Sequence, residues 1–422
     1  MRIVLLCHTG LGGSGIVATE LALALSELGH EIHIIAEHIP FRLKEETVSS
    51  SNRGGLEYRE LAGAPATKSW WGKLVELGRK SARYYFGKQT DNSKSTEGNI
   101  HFHEFQIFNY PLFEDSSLLT LRAANTIADV VSKYSIEIVH AHYALPHSTR
   151  AILARDAGLN IKIVTTLHGT DISVAGRDPA LRHMARHALV KSDAVTAVSG
   201  ALASQANELL DNPIKIFQVP NWVDSNRFQR ATSDTERKKY AHKDEIIFIH
   251  ASNFRPIKRS LDAVRIFAKI QQELPSRLFL IGDGVEKMQC IELAQELGVN
   301  GRILSLASTT AIETFLSISD YLLLPSEEES FGLVALEAMS CGVIVVATQV
   351  GGLPELITTG ENGFLFEVGN VDQAVSQIKS SLTNQDLKEK VTTNARTTAV
   401  QKFSPQNAIQ GYLEVYKSLL SK

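Results

Sequence analysis

Pro325-Ser-Glu-Glu-Glu-Ser-Phe-Gly-Leu-Val-Ala-Leu-Glu-Ala-Met339 begins where the apolar run Tyr321-Leu-Leu-Leu324 ends. That run has strand length, and the stretch after it reads as an acidic loop entering an amphipathic helix at about Phe331. Glu329 sits at the mouth of the loop and Glu337 roughly two turns into the helix. The first N–H groups of a helix have no partner within it and carry the positive end of its dipole, which makes an anion site between the two carboxylates. Eight helical steps of ~1.5 Å cover roughly 12 Å, comparable with the reach from a hexose to a ribose across a diphosphate. A carboxylate only accepts hydrogen bonds, so it suits pairs of sugar hydroxyls. The pattern fits a sugar nucleotide, with Glu329 on the sugar, the start of the helix on the phosphates and Glu337 on the ribose. In isolation the same residues also fit an ordinary exposed helix start, with Glu327, Glu328 and Glu329 favoured by the dipole.

Composition narrows the setting. A chain of 422 residues is long for one domain and natural for two. With 44% hydrophobic and 21% charged residues it has a globular balance, and a net charge of −3 gives no general drive toward nucleic acid or anionic membrane. Cys7, Cys290 and Cys341 lie far apart, without metal-ligand spacing, and read as small core residues. No apolar run approaches the ~18 residues of a membrane span, and the opening MRIVLLCHTG is too short in its apolar part for a secretory signal. A soluble, cytoplasmic protein is the expectation.

Taken in order, the chain opens with a strand from Arg2 to Cys7, the glycine-rich turn HTGLGGSG, a helix from Ile16 to Leu28 and a strand from Glu31 to Ala36. Gly10, Gly12 and Gly15 have the GxGxxG spacing and Glu37 stands where a ribose-binding acid falls, so an NAD-dependent oxidoreductase competes with other phosphate ligands and with a plain turn. From residue 44 to 99 the rhythm breaks. Polar flanks surround KSWWGKLVELGRKSARYYFGK, a basic amphipathic pattern that reads as an insertion packed on its own domain, with membrane contact through residues 66–88 as the less favoured alternative. The α/β alternation then resumes. Strands are expected at Ile136–His140, Ile161–Thr166, Ala194–Val198 and Lys215–Val219, with motifs at their ends where open α/β sheets bind ligands. These are AHYALPH from Ala141, TTLHGTD from Thr165, and VSG from Val198, with PNWVD from Pro220 later. His140 and His142 lack an accompanying carboxylate cluster and read as hydrogen-bonding or core histidines; no metal is assigned. The charged run from Asp224 to Glu245 reads as a link to a second series of strands at Ile246–Ala251, Arg277–Ile281, Arg302–Leu306, Tyr321–Leu324 and Val343–Ala347. SNFRPIKR, from Ser252, follows the first of these, and Arg255 and Lys258 can reach a diphosphate at the helix after Phe331.

The pair Glu329 and Glu337, with seven residues between them and Ser330-Phe331-Gly332 after the first, resembles the E-x7-E signature of retaining GT-B glycosyltransferases of the family 4 type. GGSGIVATELALALSELGHEIH, IPFRL, AHYALPH, TTLHGTDI, SDAVTAVS, SNFRPIKR, LSISDYLLLPSEEESFGLVALEAM and VGGLPELI are similar, in that order, to the members of bacillithiol biosynthesis. The resemblance covers nearly the whole chain apart from roughly residues 44–99. It implies an α/β GT-B fold of two doubly wound Rossmann-like domains facing across a cleft. Residues 1–220 with a crossing helix at 404–422 would form the acceptor side, and residues 221–403 the nucleotide-sugar side. It implies retaining transfer of GlcNAc from UDP-GlcNAc to the hydroxyl of L-malate, with no cofactor or metal required. His168, Arg255, Lys258 and Glu329 would act at the reacting centre, with Gly13, Ser330, Phe331, Gly332 and Glu337 on the donor and Ser14, Tyr143 and Arg186 on the acceptor. Partners would be these small molecules and no nucleic acid, with a homodimer as the alternative to a monomer.

Two departures from the family pattern stand out. Asn253 occupies the place of the usual phosphate-binding arginine, and Leu306-Ala307-Ser308 lacks the glycine that usually borders the base. Both bear on donor preference. A transferase for another sugar or acceptor is therefore the chief rival, ahead of a non-catalytic sugar-nucleotide sensor and of the oxidoreductase. The oxidoreductase leaves Arg255, Lys258, Glu329 and Glu337 without a task.

Overall fold

The structure, a computed structural model, describes residues 1–8, 13–37, 94–95, 100–104, 116–174, 176–232, 235–309 and 311–421. The amphipathic segment at 66–88, and Gly10 and Gly12 of the first turn, lie outside the described residues.

Short apolar runs separated by helices fold as parallel strands with both faces covered. The first sheet holds β1 (Arg2–Leu6), β2 (Glu31–Ala36), β3 (Lys94–Ser95), β4 (Ile100–Glu104), β5 (Ile138–His142), β6 (Lys162–Leu167), β7 (Ala194–Ala197) and β8 (Ile216–Gln218). Their order is β3-β4-β2-β1-β5-β6-β7-β8, parallel except for the antiparallel β3–β4 pair. The second sheet holds β9 (Ile246–Ala251), β10 (Ser276–Ile281), β11 (Ile303–Leu306), β12 (Tyr321–Leu324), β13 (Ile344–Thr348) and β14 (Phe364–Phe366), all parallel, in the order β11-β10-β9-β12-β13-β14. Strand order reverses between β1 and β5 in the first sheet and between β9 and β12 in the second. The loops leaving these strands diverge to opposite faces and open a crevice at each reversal.

The predicted strands are present, shifted by up to two residues at their ends. β3, β4 and β14 were not anticipated: Lys94–Ser95 is two residues within the stretch read as an insertion, Ile100-His-Phe-His-Glu104 alternates polar with apolar residues, and Phe364-Leu-Phe366 is short. The helix expected from Phe331 begins instead at Leu333 and runs to Ser340, because Gly332 adopts a left-handed conformation (φ 90°) that an α-helix cannot continue. That helix is also less amphipathic than expected: Ala335, Leu336, Ala338, Met339 and Ser340 are buried, leaving Leu333, Val334 and Glu337 partly open.

The C-terminal helix, Pro405–Leu420, returns to the first domain. Tyr412, Val415, Tyr416 and Leu419 pack into the cluster built by Ile3, Leu5, Leu21 and Ile138. The Tyr416 hydroxyl lies 2.6 Å from Nδ1 of His140, whose Nε2 lies 2.6 Å from Oγ1 of Thr166. Removing only the hydroxyl (Tyr416→Phe) leaves His140 Nδ1 without that partner and is expected to cost ~1–3 kcal/mol. Tyr416→Ala adds a cavity and should cost ~3–5 kcal/mol. Urea denaturation of the purified variants checks both the order and the size of these losses.

Candidate active site

The two crevices meet in one cavity of about 910 Å³ between the sheets. Gly13, Ser14, Tyr143 and His168 line it from the first domain, and Arg255, Lys258, Glu329, Ser330, Phe331, Gly332 and Glu337 from the second. Every site residue predicted from sequence is there except Arg186. The helix Arg182–Lys191 buries Ala185, Ala188 and Leu189, which leaves Arg186 on its partly exposed flank, paired with Asp211 away from the cavity lining.

On the first-domain side, Tyr143 directly follows β5 with φ 98° and ψ 134°, a conformation a side-chain-bearing residue rarely adopts. Its N–H donates to the Thr166 carbonyl (2.9 Å), and burial raises its hydroxyl's pKa against the opposing pull of Ser14 and Thr170, which line the same cavity. The predicted acceptor residues Ser14 and Tyr143 are thereby brought together. Next to them, Asp171 accepts from the N–H groups of Ala144 (3.0 Å), Gly169 (3.0 Å) and His168 (3.3 Å), tying the two strand-end loops to one carboxyl. Burial raises that carboxyl to about 6 against the opposing pull of these hydrogen bonds.

His168 Nε2 lies 2.9 Å from His142 Nδ1, and the His142 ring stacks on His140 at 4.4 Å. Burial pushes His168 and His140 down to about 3, so both imidazoles are neutral near pH 7. His142 Nε2 is buried with no hydrogen-bond partner among the described residues. The histidines thus read correctly as hydrogen-bonding core residues, with His168 as the one that reaches the cavity.

On the second-domain side, the loop after β9 (Ser252 to Arg259) faces the loop after β12 (Pro325 to Gly332). Lys258 forms an ion pair with Glu329, and Ser326 donates to the same carboxylate oxygen at 3.0 Å. Arg255 is exposed at the cavity wall. Glu337 opens into the cavity near Glu20 and Arg227. Desolvation first, then the Glu20 charge, raises Glu337 to about 8, and desolvation raises Glu20 to about 7. Two carboxyls in one partly desolvated corner do not both ionise easily.

The loop after β12 touches the other domain directly. Ser330 Oγ donates to the His168 carbonyl (2.6 Å), and Ser199 Oγ donates to the Ser330 carbonyl (2.6 Å). Glu355 accepts from Gly200 N–H (3.0 Å), Ala201 N–H (2.8 Å) and Gln218 Nε2 (2.6 Å), where its charge also meets the start of the helix Gly200–Asn207. Sequence reasoning passed over the roles of Asp171, Glu355 and the cavity-lining Arg177 and Arg227. Asp171 and Glu355 lie inside quoted motifs, whereas Arg227 was absorbed into the charged link.

Residues 11–227 match the family profile Glycosyltransferase Family 4, and residues 232–398 match Glycosyl transferases group 1. Over 427 aligned residues the chain is 35% identical to N-acetyl-alpha-D-glucosaminyl L-malate synthase of Bacillus anthracis, covering 100% of this chain and 97% of that protein. The chain belongs to the family 4 GT-B glycosyltransferases. Among solved structures, sucrose-phosphate synthase from Thermosynechococcus elongatus superposes with a TM-score of 0.76 at 18% identity, over 100% of this chain and 99% of that one. Anabaena HepE in complex with UDP and glucose superposes with a TM-score of 0.73 at 18% identity, over 100% of both chains. These likenesses show the GT-B fold. Membership of a glycosyltransferase family sets aside the oxidoreductase reading of the first glycine turn, and Glu37 lies 3.6 Å from Arg150 in an ion pair.

One close backbone approach holds this glycosyltransferase's donor loop. Gly351 has φ 51°, and a Cβ on it would stand 1.8 Å from the Glu329 carbonyl oxygen. Gly351→Ala is therefore expected to push the Glu329 loop out of place, with transfer falling at least tenfold while the first domain stays folded. Steady-state transfer assays beside far-UV circular dichroism test this, and unchanged kcat/KM would refute it.

Proposed function

We propose that this glycosyltransferase moves GlcNAc from UDP-GlcNAc to the hydroxyl of L-malate, with retention at the anomeric carbon. The observation that carries the proposal is the full-length 35% identity to the Bacillus anthracis synthase. The cavity's chemistry supports it, since cations at the β9 loop face two carboxylates placed for hydroxyl groups.

In this reading Arg255 and Lys258 hold the diphosphate, where fixed cations stabilise the charge that builds up as UDP leaves. Lys258 is paired with Glu329. An incoming diphosphate competes for the lysine, and the Glu329 carboxylate becomes available to the hydroxyls of the sugar. The N–H groups around Gly332 and Leu333 turn toward the phosphates, Glu337 accepts from the ribose hydroxyls, and Gly13 closes over the reacting centre. His168, neutral and held by His142, contacts the sugar near its 6-hydroxyl. Ser14 and Tyr143 supply donors to the malate carboxylates. Arg186 is not assigned to malate; Arg177, lining the cavity and 2.5 Å from Glu328, is the cation that takes its place.

Retention needs no covalent enzyme intermediate here. The bond from the anomeric carbon to the phosphate oxygen breaks, the malate hydroxyl oxygen bonds to that carbon on the same face, and its proton passes to the departing phosphate oxygen. The positive charge comes from Arg255, Lys258 and the helix start, so no metal is demanded for transfer.

Incubation with UDP-GlcNAc and a panel of hydroxy acids, followed by mass analysis, is expected to give GlcNAc-malate, at an undiminished rate in EDTA. Lys258→Ala and Glu329→Ala should each lower kcat by about 10²–10³-fold, the range for removing one preorganised charge-stabilising group. A product formed with another hydroxy acid in preference to malate would overturn the acceptor assignment. A pH dependence also follows. Because burial raises Glu337 to about 8 and the ribose favours its carboxylate, UDP binding should tighten several-fold from about pH 6.5 to about pH 8.5. Glu337→Gln should weaken binding and flatten that profile, as read by isothermal titration calorimetry.

A further inference from the structure

Away from the cavity, the first sheet gathers histidines that the transfer reaction does not use. His33 on β2 and His101 on β4 are register partners in adjacent parallel strands, and Glu31 lies two residues before His33 on the same face. The ligating atoms of Glu31, His33 and His101 all lie within 4.8 Å of one another. Glu31 Oε1 is 3.1 Å from His33 Nε2, and the rings of His33 and His101 stack at 4.7 Å. Behind them, His33 Nδ1 is 2.9 Å from His103 Nε2, and the Tyr134 ring lies 4.4 Å from that of His33.

We propose that Glu31, His33 and His101 form a binding site for a divalent transition metal of the zinc type, fastening β4 to β2. Zinc takes imidazole nitrogen and carboxylate oxygen at about 2.0–2.2 Å, so tetrahedral ligands stand roughly 3.4 Å apart. The Glu31–His33 pair already meets that separation. His101 and Glu31 are partly exposed and free to turn inward, whereas His33 is fully buried and sets the position. The arrangement also supplies the support that metal-bound histidines need: with Nε2 on the metal, His33 Nδ1–H donates to His103 Nε2, which fixes tautomer and ring orientation. Two imidazoles and a carboxylate match zinc, nickel or copper better than magnesium or calcium, which prefer oxygen. The Lys133 amine, 5.0 Å from the centre of the Tyr134 ring, adds a nearby positive charge that opposes a bound cation.

The position bears on the role. Glu31 begins β2, while the cavity residues Tyr143 and His168 follow the ends of β5 and β6. The metal therefore sits toward the opposite end of the sheet from the reacting centre, and it links the strand that follows residues 44–99 to the core of the first domain.

The full chain, stripped with EDTA and dialysed, is titrated with ZnCl2 by calorimetry and with CoCl2 by visible absorption. The expected result is one Zn²⁺ per chain, ligand-field bands with Co²⁺, and a higher melting temperature with Zn²⁺. His101→Gln and Glu31→Gln, both at partly exposed positions, should lose the bands and weaken Zn²⁺ binding at least 100-fold. His103→Gln should weaken it about 10–100-fold, as loss of an outer-shell partner does. Transfer activity should be the same in wild type and in all three variants, with or without Zn²⁺, which also reports that each is folded. Binding below half an equivalent, or equal binding in wild type and His101→Gln, would overturn the proposal, the latter by placing the metal on other histidines.

Discussion

No atom larger than hydrogen fits on the α-carbon of Gly351 toward Glu329, because the Glu329 carbonyl oxygen occupies the place of a Cβ. The neighbouring Gly352 N–H donates to that same oxygen at 3.0 Å, and a Cβ on Gly352 would stand 2.4 Å from the Ser330 carbonyl oxygen. Two consecutive glycines thus press the turn after β13 against the loop after β12 and set the height of Glu329 in the cavity. From there the constraint passes outward. Ser330 touches the His168 loop through its hydroxyl and the Ser199 hydroxyl through its carbonyl, so the loop that carries Glu329 also joins the domains. Glu355, four residues beyond Gly351, closes a second contact on the helix Gly200–Asn207.

The electrostatics of the cavity follow from burial as much as from the charges themselves. Four histidines in the first domain, His140, His142, His147 and His168, are held well below the ordinary imidazole range, chiefly by desolvation. They contribute shape and hydrogen bonds and add no charge at neutral pH. On the second-domain wall of the cavity the positive charge comes from Lys258, restrained by Glu329, and from the exposed Arg255. Charges fixed before a reaction need no reorganisation during it. Glu337 carries the opposite bias, since burial and the neighbouring Glu20 charge favour its protonated form.

Much of this site is written in local patterns. Glu329, Ser330, Phe331, Gly332 and Glu337 are contiguous or nearly so, and Arg255 and Lys258 follow a strand that any apolar count finds; residues within one loop or one helix turn are close whatever the fold does. Arg186 shows the limit of that logic. It belongs to a familiar run before β7, yet helical periodicity turns its flank away from the cavity, while Arg177, in a stretch with no pattern of its own, lines it. The onset of the helix after Phe331 was misplaced because apolar periodicity begins at Phe331 itself, whereas the left-handed Gly332 decides where helical geometry can start. β4 escaped notice because only Ile100 and Phe102 of its five residues are apolar, and the histidines between them interrupt the apolar run that marks a covered parallel strand.

By itself the sequence determined the alternation of strands and helices, the division into two α/β series, the acidic and basic residues of the donor loops and the apolar face of the last helix. These are all properties of spacing along the chain, where period and hydropathy act over a few residues. Tertiary structure alone decided that Ser14 meets Tyr143, that Lys258 is held by Glu329, that Glu355 spans the domains and that His33 stacks on His101. Strand order and domain packing bring together groups that are distant in sequence, and no local period encodes which of them will touch.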